Sequence, residues 1–285
     1  MKRPEAQTQF LIFTLFGDYI LPRGGEVWTR NLLDILNLLG VNDQPARLVL
    51  SRMSRKKWVT ATRVGRHSKY RLTDRGRALL DEGGHRIFEP RLTKWDGQWH
   101  LVIYSIPETK RKQRQQLRER LRWLGYGHLA PGTWISPHAR RPDIEALMDE
   151  LDVRAHVNYF SARHIGFTND RSIVEQCWDL ESLNEMYADF IAEHKPAYEH
   201  HRKQSRSHSQ AHDCSECFVR RFWVTHQFQP FPRMDPNLPL SLLPDDWLGD
   251  AAVGLFYAYR DLLAPHANAF VDATLSRTPT GAKIE

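Results

Sequence analysis

The chain has 285 residues, of which 41% are hydrophobic and 26% charged, a composition typical of a folded protein with room for two or more domains. Its net charge of +6 is concentrated in residues 1–90, which hold 16 Lys/Arg against 9 Asp/Glu. The longest apolar runs are too short to span a membrane, and the run at Phe10–Phe16 lacks the cleavage site of a signal peptide. Three cysteines form no even disulfide framework and indicate a reducing cytoplasm.

The first 41 residues predict two helices joined by a short strand. Residues 8–21 are apolar almost all round, as expected for a helix inside a domain core. Val27 and Trp28 fit a short strand. The second helix ends at Gly40, and its apolar positions are Leu32, Leu33, Leu36 and Leu39.

The segment after Gly40 has the pattern of a DNA-recognition helix. Asn42 is a favoured N-cap residue, and Pro45 is tolerated in the first helical turn. One stripe, spaced i, i+3, i+4 and i+7, is apolar and consists of Ala46, Val49, Leu50 and Met53. The opposite face carries side chains that can hydrogen-bond to base edges or phosphates, namely Gln44, Arg47, Ser51 and Arg55.

A basic hairpin follows this helix. Two β-rich runs, 58–64 and 70–73, flank the tip Gly65–Lys69, so helix and hairpin together predict a winged helix-turn-helix. From Asp43 to Arg77 there are 11 Lys/Arg and 2 acidic residues, whereas a solvated face normally interleaves both charges. We therefore predict double-stranded DNA as partner. The predicted contacts are Gln44, Arg47, Ser51, Arg52, Arg55, Lys57, Arg63, Arg66, His67, Ser68 and Lys69.

Residues 75–88 predict a closing helix with Ala78, Leu79 and Ile87 facing inward. Beyond it, Glu89-Pro90 marks a boundary. The next segment reads as strand 98–104, helix 108–124, strands 126–129 and 132–136, helix 142–151 and strand 157–161. This β-α-β-β-α-β order is that of a ferredoxin-like unit. The first of its helices is rich in Lys and Arg, which indicates either a contact with an anionic ligand or a solvated face.

Residues 170–285 predict a mainly helical third domain. A helix is indicated by a stripe of Leu183, Met186, Tyr187, Phe190 and Ile191. Polar, histidine-rich residues 195–213 predict a loop, and further helices are predicted at 218–227 and 250–263, with an extended Pro-rich stretch between them. The predicted fold class is thus α+β: a winged helix-turn-helix at 1–90, a ferredoxin-like domain at 91–169 and a mainly helical domain at 170–285.

This layout resembles the PaaX family of bacterial transcriptional repressors, which control phenylacetate catabolism. The resemblance covers nearly the whole chain and rests on three segments: the wing Val59–Arg71, the strand and helix Trp99–Gly125, and the C-terminal run Asp235-Pro236, Leu238-Pro239, Leu242-Leu243-Pro244 and Asp246-Trp247. It implies a homodimeric repressor released from DNA by phenylacetyl-coenzyme A. It also implies that the central domain is similar to small ferredoxin-like nucleases of CRISPR adaptation.

Two functions other than repression are a metal-dependent nuclease and a protein-binding adaptor. Those nucleases end their first strand with a metal-binding aspartate, but Ser105 stands at the matching place, and a hydroxyl is a poor ligand for a hard divalent cation. We therefore expect no nuclease activity and no enzymatic role. The third possibility is an adaptor that binds a partner protein through the Pro-rich C-terminal run.

One cluster resembles a zinc site: His208, His212, Cys214 and Cys217. The usual two ligand pairs separated by a longer arm are missing, so no metal is predicted. No nucleophile motif or Gly-rich phosphate loop is present either, and we assign no catalytic residue.

An aromatic acyl-coenzyme A needs an apolar slot for its acyl group and basic side chains for its phosphates. We expect this effector site at the junction of the central and C-terminal segments. The candidate residues are Arg111, Arg114, Trp123, Trp134, Arg220, Arg221, Trp223, His226 and Tyr257.

Overall fold

The computed structural model describes residues 4–84, 94–207 and 214–279, and contacts divide the chain into two units. One unit comprises Met1–Ile87, Phe190–Gln229 and Ala251–Glu285, and we call it the winged-helix unit. The other comprises Phe88–Asp189 and Pro230–Asp250, and we call it the ferredoxin-like unit. The predicted α+β class is confirmed, and the order of elements is consistent with a winged helix-turn-helix followed by a ferredoxin-like unit. The predicted three-domain boundaries stay a prediction.

The winged-helix unit begins with a helix-turn-helix and a small antiparallel sheet of order β1-β3-β2. In chain order its N-terminal elements are α1 (Pro4–Leu15), a wider helical turn (Phe16–Ile20), β1 (Glu26–Trp28), α2 (Thr29–Leu38), α3 (Asp43–Arg55), β2 (Val59–Val64), β3 (His67–Leu72) and α4 (Asp74–Gly84).

Helix α1 is apolar all round because it is covered on more than one side. Its Leu11, Ile12 and Leu15 are buried in a core shared with α2 and α3. The same core includes four side chains from the distant C-terminal part of the chain: Phe218, Phe222, Ala267 and Val271. The N-terminal segment alone therefore does not supply a complete hydrophobic core.

Two details around α3 and the wing differ from the sequence predictions. Asn42 occupies the N-cap position of α3 with extended backbone, but its side chain makes no capping hydrogen bond. The hairpin tip is only Gly65-Arg66, since β3 begins at His67 and not at residue 70. Gly65 has φ +60°, which a two-residue hairpin turn requires and glycine adopts without strain.

The inward face of α4 was predicted one residue out of phase. Leu79 and Ala78 are exposed, whereas Leu80 packs against the winged-helix core. The reason is the close approach of the chain at Gly76, where a Cβ would lie 2.1 Å from the Trp58 carbonyl oxygen. That contact fixes the rotation of the helix, whose start is capped by Thr73 Oγ1 accepting from the Gly76 N–H at 3.1 Å. Ile87, also predicted to face inward, lies outside the described residues.

The ferredoxin-like unit contains the predicted β-α-β-β-α-β order. Its elements are β4 (Trp99–Tyr104), α5 (Arg111–Trp123), β5 (Gly127–Ala130), β6 (Thr133–Ser136), α6 (Arg141–Glu150) and β7 (Val157–Ala162). The four strands form one sheet of order β5-β6-β4-β7 with antiparallel neighbours, which leaves β5 and β7 at its edges.

Both faces of this sheet are covered. Helices α5 and α6 bury Val102 and Trp134 on one face. The other face, with Trp99 and Ile135, packs against helix α7 (Asp170–Cys177) and against the start of the next helix. The Pro-rich run also belongs to this second core, through Leu238, Leu242 and Leu243. Its prolines suit an extended segment laid over a sheet.

Four helices complete the fold: α8 (Leu180–Ser207), α9 (Cys214–Phe228), the short α10 (Phe231–Met234) and α11 (Gly249–Leu275). The loop predicted at 195–213 is wrong for residues 195–207, which continue α8 through Pro196. Residues 208–213, including His208 and His212, lie outside the described residues.

Residues 194–201 of α8 form a buried face from residue types that are usually counted as polar. His194, Tyr198 and His201 follow i, i+4, i+7 spacing, and all three rings contact Tyr259 on α11, with centroids 6.5, 5.8 and 5.9 Å away. Both histidines are buried. A search for aliphatic spacing therefore misses a helix that packs through histidine and tyrosine.

Candidate nucleic-acid interface

Helix α3 presents a polar face to solvent because its other face is fixed in the core. Ala46, Val49, Leu50 and Met53 are buried, as predicted. Gln44, Arg47, Ser51 and Arg55 are exposed, while Arg52 is half-buried. Arg47 Nη2 lies 3.8 Å from Asp43 Oδ2, one turn earlier. Such an exposed ion pair is weak, so its guanidinium can exchange partners at little cost.

The wing differs along its length in how firmly its basic side chains are held. Arg66 is exposed at the tip, and Arg63 is exposed on β2 with its Nε donating to the Gly65 carbonyl oxygen at 3.1 Å. Lys69 is more restrained: its Nζ lies 3.5 Å from Glu26 Oε2 and 4.8 Å from the centre of the Trp28 ring. The tip therefore offers the more available positive charge.

Ser68 and His67 fasten the wing to the start of α2. Thr29 Oγ1 donates to the Ser68 carbonyl oxygen at 2.9 Å and lies 2.9 Å from Ser68 Oγ. The His67 ring meets the Trp28 ring edge-on, with centroids 6.4 Å apart. These contacts fix the position of the wing relative to α2, and they engage the Ser68 side chain within the protein.

Lys57 follows the end of α3 in a left-handed conformation, with φ +57°. Its carbonyl oxygen accepts a hydrogen bond from Thr73 Oγ1 at 2.6 Å, which joins the end of α3 to the end of β3. Its side chain is exposed. The neighbouring Lys56 places its Nζ 4.3 Å from the centre of the Trp58 ring.

A groove of about 530 Å³ runs between the start of α2, the start of α3 and the wing tip. Three arginines line it, and two of them, Arg47 and Arg66, were predicted as DNA contacts. The third, Arg30, was missed by sequence reasoning, although a basic residue in the first turn of the helix preceding a recognition helix is a usable signal. Asp34 and Asp43 also line the groove. Asp43 accepts from Asn37 Nδ2 at 2.8 Å.

Tyr70 lies on β3 close to Arg47. Burial raises the pKa of its phenol, and the Arg47 guanidinium opposes that rise. The hydroxyl therefore stays protonated at neutral pH, when it can act as a hydrogen-bond donor. Arg47 is thus positioned between Asp43 and a neutral aromatic ring.

The predicted effector residues are distributed over both units. In the ferredoxin-like unit, Arg114 Nη2 lies 2.6 Å from Glu108 Oε2 and Arg111 Nε lies 3.7 Å from Oε1. The hydrogen bond from Arg114 holds the pKa of the Glu108 carboxyl below its usual range. Trp123 is half-buried, whereas Trp134 is wholly buried in the core, where it has no free surface for a ligand.

The remaining effector candidates lie in the winged-helix unit. Arg220 pairs with Glu216 at 2.7 Å. The buried Arg221 lies 4.0 Å from Asp18 Oδ2, and its guanidinium stands over the Tyr19 ring. His226, Trp223 and Tyr257 are half-buried.

Trp223 and His226 both contact the helix-turn-helix region. Trp223 lines a cavity of about 270 Å³ with Gly40 and Val41 of the turn. The His226 ring is 4.9 Å from the Phe10 ring, and its Nδ1 lies 3.3 Å from Thr14 Oγ1. The structure thus places Trp223 beside the turn that precedes α3 and His226 against α1. Their role as effector contacts stays a prediction.

Among residues 4–84, 94–207 and 214–279, no group of three or more His, Cys, Asp or Glu side chains is placed to hold a metal ion. Cys217 is buried and Cys214 is half-buried. Ser105 follows β4 and donates its N–H to the His156 carbonyl oxygen at 2.9 Å.

Within the described part of the chain, no helix is both long and apolar enough to cross a membrane.

Comparison with known proteins agrees with this arrangement of elements. Three family models match successive parts of the chain: "PaaX-like protein" at residues 7–76, "PaaX protein central Cas2-like domain" at 92–174 and "PaaX-like protein C-terminal domain" at 178–273. Among solved structures, the uncharacterized protein Rv0674 from Mycobacterium tuberculosis superposes with a TM-score of 0.60 at 25% identity, covering 92% of this chain and 96% of that one.

A curated relative extends the comparison over almost the full sequence. The transcriptional repressor PaaX of Escherichia coli K12 is 30% identical over 264 residues, which cover 92% of this chain and 82% of the relative. The family models at residues 7–76 and 92–174 cover the elements that form the basic surface and the ferredoxin-like sheet, respectively. The chain therefore belongs to the PaaX family, whose E. coli member is a transcriptional repressor.

Proposed function

We propose that this protein is a sequence-specific transcriptional repressor that binds operator DNA as a homodimer and is released by an aromatic acyl-coenzyme A. The observation that carries the DNA-binding part is the exposed polar face of α3 beside the basic wing tip. An α-helix fits the major groove, where Arg47 and Ser51 can reach base edges. Repression by DNA binding also implies that the protein works in the cytoplasm.

Each predicted contact has a role that follows from its exposure. Gln44, Arg47 and Ser51 occupy the outward face of α3 and suit base readout. The basic side chains at its end and in the wing suit the phosphate backbone: Arg52, Arg55, Lys57, Arg63, Arg66 and Lys69. Ser68 and His67 support the wing rather than extend from it.

The test is a fluorescence anisotropy titration of the full chain with an operator selected from a genomic library and with a random duplex. Arg47→Ala should lose about 1–3 kcal/mol of binding free energy on the operator and much less on random DNA. Arg154→Ala is the matched control, because Arg154 is also exposed and pairs with one carboxylate, 2.8 Å away, but lies in the ferredoxin-like unit. Equal losses on both duplexes would assign Arg47 to phosphate binding alone.

The effector proposal rests on the family resemblance and on the chemistry of a coenzyme A thioester. The cavity of about 1020 Å³ in the ferredoxin-like unit is large enough, but six carboxylates and one arginine line it. It would repel the phosphates of coenzyme A, so we do not place the effector there. The predicted aromatic and basic residues remain the candidates, and Trp223 is notable because it lies beside the helix-turn-helix.

Calorimetric titration with phenylacetyl-coenzyme A tests the effector proposal, with coenzyme A and phenylacetate as controls. The full chain is required, because the core of the winged-helix unit includes residues from both ends of the sequence. We expect binding of the thioester and release of the operator by it. Binding of the thioester without any change in operator affinity would contradict its role as an inducer.

A two-fold dimer is supported by the exposed edge of the ferredoxin-like sheet. Strand β7 is an edge strand, Phe160 on it is 50% exposed, and Ile165 and Phe167 after it are 94% and 110% exposed. Edge strands with exposed apolar side chains are natural pairing surfaces. Light scattering should give twice the mass of one chain, and Phe160→Arg should reduce the measured mass to that of one chain.

The operator of a two-fold dimer should be an inverted repeat with half-sites about one helical turn, or a multiple, apart.

A further inference from the structure

The C-terminal end of the described chain lies against the DNA-binding surface. Helix α11 ends at Leu275, and the chain continues past the start of α2. There the buried Asn31 donates from Nδ2 to the carbonyl oxygens of Leu275, at 3.4 Å, and Arg277, at 2.9 Å. A buried amide that bonds two successive parts of a segment holds it in one position.

This segment reaches the groove described above. Pro279 lines the groove together with Arg30, Arg66 and His67, so the chain end passes between α2 and the wing tip. Arg277, two residues earlier, is exposed. Its carbonyl oxygen accepts from Asn31, which holds the backbone of this segment beside the start of α2.

We propose that Arg277–Pro279 is a third part of the DNA-binding surface, beside α3 and the wing, and that Arg277 binds a phosphate of the duplex backbone. Asn31 is the positioning residue of this segment. The proposal rests on the proposed function and adds a contact from the far end of the chain. It links α11 directly to operator affinity, because any movement of α11 moves a DNA-binding residue.

Two features favour a contribution to binding over an obstruction of the site. The segment brings a positive charge, and it joins a groove lined by Arg30 and Arg66, whose charges suit phosphate groups. Asp43, one of the two carboxylates of the groove, is engaged by Asn37 and Arg47. With three arginines and two aspartates, the groove carries a formal charge of +1, and the exposed Arg277 adds to it beside the groove, so the charge balance favours an anionic backbone.

The test is a titration of the full chain with operator and random duplexes at several salt concentrations. Arg277→Ala should weaken binding to both duplexes by a similar factor, about three- to tenfold at low salt, and reduce the slope of log K against log[salt] by about one. Arg277→Lys should restore most of the loss, because a lysine keeps the charge. Arg141→Ala removes an exposed arginine at the start of α6 in the ferredoxin-like unit, outside the proposed dimer surface, and should change neither quantity.

Asn31→Ala tests the positioning role. It should reproduce the loss caused by Arg277→Ala, and the double variant should bind no more weakly than Arg277→Ala alone. An additional loss in the double variant would show that Asn31 acts on DNA binding by another route. Arg277 is exposed, so its variants test the proposal even where Asn31→Ala fails to fold.

The outcomes separate this proposal from the proposed function. Unchanged binding by Arg277→Ala, with a clear loss for Arg66→Ala, removes the chain end from the interface and leaves DNA binding by α3 and the wing intact. Tighter binding by Arg277→Ala shows that the segment obstructs the duplex and also overturns the proposal. A parent chain that binds neither duplex overturns both.

Discussion

The core of the winged-helix unit and the core beneath α5 and α6 in the ferredoxin-like unit are assembled in different ways. One core of the ferredoxin-like unit comes entirely from the stretch Val102–Tyr159, so consecutive strands and helices complete it. The core of the winged-helix unit joins residues 11–80 to side chains of α9 and α11, about 140 to 260 positions later in the sequence. A DNA-binding region that looks independent in sequence thus depends on the opposite end of the chain.

Hydrogen bonds around the same core also join the N-terminal region to the C-terminal helices. Arg23 donates from Nε to Asp272 Oδ1 at 2.6 Å and from Nη2 to Asn268 Oδ1 at 3.1 Å, both on α11. Gln229, just after α9, donates to Thr14 Oγ1 at 3.0 Å. The C-terminal helices are therefore bound to α1 and to the turn after it by specific hydrogen bonds as well as by apolar packing. A signal that moves these helices would reach the recognition helix through α1.

The largest expected effect is on a fragment of residues 1–90, the predicted N-terminal domain. It lacks Phe218, Phe222, Ala267 and Val271, whose burial contributes roughly 1–3 kcal/mol each. That sum is comparable with the whole stability of a small domain, typically about 5–15 kcal/mol. We expect the fragment to be largely unfolded by circular dichroism and to lose operator binding. A folded fragment with full affinity would show that the C-terminal helices are dispensable to this core.

Next in size is a pair of core substitutions, one in each unit. Phe222→Ala and Leu121→Ala each truncate a side chain with no exposure, and each should cost about 3–4 kcal/mol. The two differ in where the cost appears. Phe222→Ala, on α9, should raise amide hydrogen exchange in α1 and α3 and weaken operator binding. Leu121→Ala should raise exchange in α5 and its own sheet. If Phe222→Ala leaves exchange in α1 and α3 unchanged, the comparison between the units fails.

Sequence reasoning succeeded where a repeating pattern maps onto one element. The buried stripe of α3 is correct at all four positions, from Ala46 to Met53, because helical spacing alone determines which side faces the core. The ferredoxin-like order was likewise predictable from alternating strands and amphipathic helices. The α1 sequence also gave a correct indication, since a helix apolar all round must be covered on several sides.

The failures have a common physical cause, which is contact between residues far apart in sequence. No pattern in the neighbouring sequence indicates that Phe222 packs in the same core as α1, or that Asn31 donates a hydrogen bond to the carbonyl oxygen of Arg277. The continuation of α8 was missed because its packing face uses histidines, which are polar in a composition count but can be buried as neutral rings. The rotation of α4 was missed because it depends on the space at Gly76 beneath Trp58.

A smaller effect is expected from the ion pairs that join the N-terminal region to the C-terminal helices. Asp18 Oδ2 lies 3.3 Å from Arg260 Nη2 and 4.0 Å from Arg221 Nη1. Asp18→Asn keeps the shape but leaves two guanidinium groups without a counter-charge. Because the Asp18 side chain is 21% exposed, water screens part of this loss, and we expect about 1–2 kcal/mol from urea denaturation. Asp152→Asn, in the ferredoxin-like unit, is the control: its carboxylate pairs with Lys110 at 2.9 Å but is 95% exposed, so its loss should be near zero.

The smallest effect is a pH dependence of the same unit. Burial lowers the pKa of His194 and of His201 below the usual 6.5, because a low-dielectric environment disfavours the charged ring. Glu193 and a hydrogen bond with Gln227 oppose the shift at His194 without reversing it.

The sign of the stability change follows from these pKa shifts. Below about pH 6.5 the unfolded chain takes up protons on these rings while the folded chain does not. The free energy of unfolding therefore decreases as the pH is lowered, until the pH also passes below the pKa values of the folded state. Above pH 6.5 neither state is protonated, and the contribution of the buried rings is complete. Thermal denaturation from pH 7.5 to 5 should therefore show a declining melting temperature. His194→Gln should make that decline shallower, whereas His128→Gln, at an exposed position in the ferredoxin-like unit, should leave it unchanged. Equal slopes for the parent and His194→Gln would mean that this ring is not buried in its neutral form against α11.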